Sequence, residues 1–131
     1  RGLGDVYKRQ RLSWSWPEGS TRAGLRRLYA DLLAARREWP ALRDFENRKA
    51  RLLPEGEGVI LELIRGGCRP KPGKTLTALF NLTGQPRPLP ANGASRGAWR
   101  FSSEAERYSG SRSADAAVEE LLPYECVVFV H

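Results

Sequence analysis

Apolar positions along the chain follow one period before Pro40 and a different one after it. From about Ser20 to Trp39, Leu25, Leu28, Tyr29, Leu32, Leu33 and Arg36 fall at the i, i+3, i+4, i+7, i+8 spacing of one helical face. Ser20 or Thr21 can cap the start by accepting a bond from an otherwise unpaired backbone N–H. Pro40 ends the run, because the residue before proline is pushed out of the helical region. The other face carries Arg26, Arg27, Asp31, Arg37 and Glu38, an ordinary water-facing set.

Beyond Pro40 the apolar runs are short. Arg48 to Leu53, Gly58 to Arg65, Thr75 to Leu82, Ala98 to Ser102 and Glu125 to Val130 are each bounded by Gly, Pro, Asn or Ser. Within 59–64 and 75–80, polar residues interrupt β-formers in the manner of antiparallel strands with one face buried. The segments 66–73 and 85–97 are rich in Gly and Pro and read as turns and loops. The expected fold is mainly β, a small antiparallel β-sandwich preceded by one amphipathic helix. A lone helix before a small sandwich has little surface on which to bury its leucines, so it reads as the last outer element of a larger domain. On that reading Leu25, Leu28, Leu32 and Leu33 are exposed in this chain.

Composition narrows the function classes. Of 131 residues, 40% are hydrophobic and 28% charged, a globular balance. No apolar run approaches the roughly 20 residues of a membrane span, and no signal-peptide pattern opens the chain, so no membrane partner is expected. The net charge of +7 comes mostly from arginines scattered among acids. Nucleic-acid surfaces cluster their basic residues with aromatics, so no nucleic-acid partner is expected either. Cys68 and Cys126 are too few for a disulfide framework; free thiols in a reducing, cytoplasmic compartment follow. With His131 the one histidine, a protein-built metal site is not expected, and no cofactor is called for.

The chain contains no methionine. Its stretch Asp5-Val6-Tyr7-Lys8-Arg9-Gln10 reads back as GAT GTG TAT AAG AGA CAG, which resembles the end of a transposon adapter used in sequencing libraries. Residues 1–10 are therefore set apart as an assembly artefact, and the gene is expected to have been cut there.

Several segments carry a family likeness. Arg11-Leu12-Ser13-Trp14, with the helix and the run from Leu32 to Leu42, resembles the closing helix of the α-amylase-type glycosidase barrel. Thr77 to Thr83 resembles the central strand of the C-terminal β-sandwich in that family. Trp99-Arg100-Phe101-Ser102-Ser103-Glu104, Arg107-Tyr108-Ser109-Gly110 and Leu122 to Phe129 extend the likeness. Their order and spacing are most similar to the malto-oligosyltrehalose trehalohydrolases, with glycogen branching enzymes next. Ser109 stands where a glycine is common, and Pro123 is single where a pair is frequent. The resemblance implies three parts: the artefact at 1–10, the last helix of a truncated (β/α)8 barrel at 11–45, and the C-terminal sandwich at 46–131. It further implies a retaining glycosidase that takes an α-glucan, maltooligosyl trehalose, through the missing barrel and releases trehalose. Its aspartate nucleophile and glutamate acid would lie before Arg11. No catalytic residue is assigned here, since Glu104, Glu106, Asp115, Glu119 and Glu120 match no catalytic motif. A stand-alone module binding glucan or protein is the alternative.

For sugar contact the candidates are Trp14 and Trp16, whose indole faces suit the apolar side of a pyranose. Trp39 and Trp99 read as core. Asn81-Leu82-Thr83 matches a glycosylation sequon but reads as a strand end and turn, and Gly66-Gly67 as a hairpin signal.

Overall fold

The computed structural model describes residues 14–53, 59–67, 75–90 and 98–130. Helix α1 spans Thr21–Glu38, and Ser20 caps it by accepting the Ala23 N–H at 3.2 Å. Arg36 and Arg37 in its last turn complement the helix dipole. Trp39 leaves helical geometry, and Pro40 then opens the short helix α2, Pro40–Arg43.

Among the described residues seven strands follow: β1 Arg48–Leu53, β2 Ile60–Arg65, β3 Leu76–Asn81, β4 Arg87–Pro88, β5 Trp99–Ser102, β6 Glu120–Leu121 and β7 Cys126–Val130. Five of them form one antiparallel sheet in the order β1-β2-β3-β7-β5, and β4 pairs with β6 in a second, two-stranded sheet. The last strand lies inside the sheet, between β3 and β5. Its sequence Cys-Val-Val-Phe-Val is apolar throughout because both of its faces are covered. Edge strand β1 exposes Arg48, Lys49 and Arg51, charges that discourage pairing with another chain.

The pleat sorts side chains into two cores. On one face Leu53, Ile60, Leu79, Val127 and Phe129 pack with Leu121 of β6, and with Leu89, Trp99 and Val118. On the other, Leu76, Ala78, Phe101 and Val128 pack with Ala41 of α2, and with Leu28, Trp39 and Tyr108. A bulge between Trp99 and Phe101 shifts the β5–β7 register, so these residues, two apart, enter opposite cores. The large sheet is thus covered by the small sheet on one side and by the helices on the other.

Helix α1 docks by a narrower face than its leucine pattern predicts. Ala23, Gly24 and Ala35 are buried and Leu28 is half-buried against the sheet, whereas Leu25, Tyr29, Leu32 and Leu33 are exposed. The expected exposure therefore describes three of the four leucines. Leu28 departs from it because the docked stripe, 24, 28, 31 and 35, runs beside the leucine stripe. Gly24 in that stripe has no side chain because backbone approaches backbone there: a Cβ on it would lie 2.5 Å from the Tyr108 carbonyl oxygen.

Candidate functional site

Besides the Arg51–Glu62 ion pair at 2.6 Å, two polar clusters and one aromatic cleft bring reactive side chains together. The first cluster is buried between the sheets. Glu125 is fully buried and receives a fork from Arg112, Nε to Oε2 at 2.6 Å and a terminal nitrogen to Oε1 at 2.7 Å. The Ser102 hydroxyl donates to the same carboxylate at 2.5 Å and the Leu122 N–H at 2.8 Å. Arg112 also donates to the Glu120 carbonyl at 2.9 Å. Burial alone would raise the Glu125 pKa, but the Arg112 fork, Ser102 and the Leu122 N–H outweigh it and hold the carboxyl below its ordinary value. Next to it the Ser103 hydroxyl accepts the Cys126 N–H at 2.9 Å. Stretches 102–104 and 122–126, far apart in sequence, thus meet around one ion pair. Every oxygen of that carboxylate is engaged, so the arrangement organises structure rather than proton transfer.

The second cluster ties α1 to the 3-10 turn Glu106–Tyr108. Arg107 donates to Asp31 at 2.6 and 3.1 Å, and the Tyr108 hydroxyl donates to Asp31 at 2.5 Å. Arg107 holds the Asp31 carboxyl below its ordinary range against the opposing effect of burial, and Tyr108 adds to it. Burial first, then the neighbouring Asp31 carboxylate, push the Tyr108 phenol up to about 12. Ser109 closes the turn in the left-handed region, φ 65°, and its hydroxyl donates to the Ser20 carbonyl at 3.2 Å. A left-handed backbone explains why glycine suits this position.

The sequence candidates Trp14 and Trp16 are brought together on the surface. Their ring centroids lie 6.4 Å apart at an interplanar angle of 89°, and Trp14 is 76% exposed. Arg26 of α1 covers one face of Trp16 at 4.6 Å from its centroid. Trp16, Glu18, Ala23, Arg26, Arg27 and Ala30 line an open cleft of about 350 Å³. Trp39 and Trp99 are half-buried against the two cores, as expected of core residues; the Trp99 indole N–H donates to the Ala116 carbonyl at 2.8 Å. Asn81 is buried, its amide donating to the Gln85 and Leu122 carbonyls at 2.7 and 3.0 Å, which suits a strand end and turn.

Glu104 is half-buried, while Glu106, Asp115, Glu119 and Glu120 are exposed. Cys126 is a free thiol pushed up to about 12, by burial first and then by the Glu125 charge. Cys68 and His131 lie outside the described residues, as do residues 1–13. Among the described residues no group of three or more His, Cys, Asp or Glu could hold a metal ion, and no helix is long and apolar enough to cross a membrane.

Sequence reasoning missed both polar clusters, since their members are paired only by tertiary structure. One signal was available. Gly24 sits inside a helical run, where glycine costs about 1 kcal/mol relative to alanine and so implies a close approach. No family model matches the chain, and no curated protein matches it.

Proposed function

We propose that residues 11–131 are the C-terminal part of a cytoplasmic α-amylase-type glycoside hydrolase. Residues 11–45 supply the last helix of its (β/α)8 barrel and residues 46–131 its C-terminal β-sandwich. Within that family the reading is a malto-oligosyltrehalose trehalohydrolase, which hydrolyses the α-1,4 bond beside the trehalose end of maltooligosyl trehalose and releases trehalose. This part is structural. The nucleophile and the acid belong to the barrel, and the sandwich braces the barrel's closing helix.

One observation carries the proposal. Helix α1 is two-faced: Gly24, Leu28 and Ala35 face the sheet or its 3-10 turn, while Leu25, Tyr29, Leu32 and Leu33 form a second apolar stripe turned outward. A helix with one stripe docked and an apolar stripe left uncovered beside it has room for a second body, and the proposal gives that place to the barrel. Reading the uninterrupted gene from the source DNA tests this. Several hundred barrel codons are expected before the codon for Arg11; a start codon beside it would overturn the proposal.

A further inference from the structure

The cover that the helices give the large sheet fades beyond β3. Leu28 and Trp39 pack against Leu76, Ala78, Phe101 and Val128, on strands β3, β5 and β7. The register extends the same face across two more strands. Leu63 opposes Ala78 and Ala50 opposes Leu63; in the next row Leu61 opposes Phe80 and Leu52 opposes Leu61. Burial fails along these rows. Ala78 is buried, Leu61, Leu63 and Phe80 are half-buried, and Ala50 and Leu52 on β1 are exposed, Leu52 to 49%.

Helix α1 adds a wall to this bare floor. Its first turns meet the 3-10 turn that follows β5, and its end at Trp39 lies by Leu76 and Val130, so its axis runs along the strands. Arg27 and Asp31 face that 3-10 turn, on the β5 side. At 3.6 residues per turn, Leu25 and Leu32 lie about 150° around the helix from Arg27. They therefore face the β1 side, where both are exposed. Strand spacing puts β1 about 10 Å from β3, and packed helices lie about 8–10 Å apart. The strip beside α1 has the width of one helix.

Charge specifies the occupant further. Arg36 stands on the same flank of α1 as Leu25 and Leu32, and Arg48 stands at the end of β1, directly opposite Arg65. Two like charges face each other there, an arrangement that costs stability unless an acid joins them. Among the described residues neither Arg36 nor Arg48 is in an ion pair. An apolar floor rimmed by unpaired arginines fits an apolar stripe flanked by carboxylates.

We infer that a single amphipathic helix with acidic flanks lies alongside α1, its apolar stripe on Leu25, Leu32, Leu52, Leu61 and Phe80 and its acids at Arg36 and Arg48. That this helix comes from the body placed beside α1 rests on the glycosidase reading; the groove itself does not.

The probe is a stapled helical peptide of about 18 residues, with leucines on one face and glutamates on both flanks, titrated into the ¹⁵N-labelled 131-residue chain. Saturable amide shifts on β1, β2 and the Leu25–Leu32 flank are expected, with a dissociation constant on the order of 0.1 mM. Leu52→Lys should weaken binding at least about tenfold and Arg48→Glu about threefold, with the β3 and β7 amides of the free variants unmoved as a check on folding. A peptide with lysines in place of the glutamates should bind at least about tenfold more weakly. No saturable shift by about 2 mM, shifts confined to α1, or equal binding of the lysine peptide would each overturn the inference. Any of these leaves the glycosidase reading standing, since that rests on the codons upstream of Arg11. Binding as expected by a chain with no barrel codons upstream would fail that reading alone and give the groove to a separate partner.

Discussion

Two arginine–carboxylate clusters of nearly the same chemistry sit in opposite settings. Arg112 and Glu125 are both buried, and serine and backbone donors complete their network. Arg107 and Asp31 lie at the surface, where the Arg107 side chain is 61% exposed, and a single phenol joins them. In the buried pair neither partner can be lost without stranding a charge in a dry core. In the surface pair water and salt replace whatever is removed. The inner cluster therefore belongs to the integrity of the sheets, and the outer one only fixes where the helix rests.

The largest effect is expected at the inner cluster. Arg112→Ala leaves Glu125 unpaired and should destabilise the chain by about 3–5 kcal/mol in urea denaturation. A loss under about 1 kcal/mol would mean that the two clusters do not differ as described. Gly24→Ala comes next. Its methyl group would meet the Tyr108 carbonyl oxygen at 2.5 Å and its carbon at 2.7 Å, backbone atoms that cannot swing aside. A cost of about 1–3 kcal/mol is expected, with α1 amides losing exchange protection while β3 and β7 keep theirs. Loss of protection in helix and sheet together would show that the helix is part of the sheet's cooperative unit.

How far these features could be read in advance depends on their length and range. Strands β1, β2, β3, β5 and β7 fall within a residue or two of the apolar runs that predict them, because each run is long enough to show its period. β4 and β6 have two residues each and show none. The alternation rule places Trp99 and Phe101 on one side of β5, and only the bulge separates them. The contact of Asp31 with Arg107 spans 76 positions, a distance at which no local pattern speaks. The helix pattern located the apolar residues of α1 but not which of them dock, since Gly24 and Ala35 are too small to register as a stripe. Among site residues, Trp14 and Trp16 were legible as a loop pair. Their polar neighbours became visible only once the helix was placed beside them.

Acidity and alkalinity separate the clusters further. Asp31 and Glu125 have folded-state pKa values below their ordinary ones, so their stabilisation is complete above about pH 5 and drains as the pH falls through the lowered values. Cys126 and Tyr108 are both pushed up to about 12, so their contribution is complete below the unfolded values, about 8.5 and 10, and is lost as the pH rises toward 12. Urea midpoints should form a plateau between about pH 5 and 8.5 and fall on both sides. In Asp31→Asn the acid limb should shrink but persist, because Glu125 still titrates. An unchanged limb would remove Asp31 from the account.

The smallest effect is expected on the outward stripe. Leu25→Glu with Leu32→Glu should change stability by within about 0.5 kcal/mol, since both side chains are exposed, and should abolish the self-association that the exposed stripe is expected to drive, with light scattering as the readout. Strong destabilisation of a strictly monomeric chain would assign those leucines to the domain's own core.

The most direct measurement of the central claim is hydrolysis of maltotriosyl trehalose by two proteins, the 131-residue chain and the longer product of the uninterrupted gene. Trehalose release by the longer protein and none by the 131-residue chain is the expected result. Release by the 131-residue chain alone, or by neither protein, would contradict the assignment of this chain to the non-catalytic end of a trehalose-releasing glycosidase.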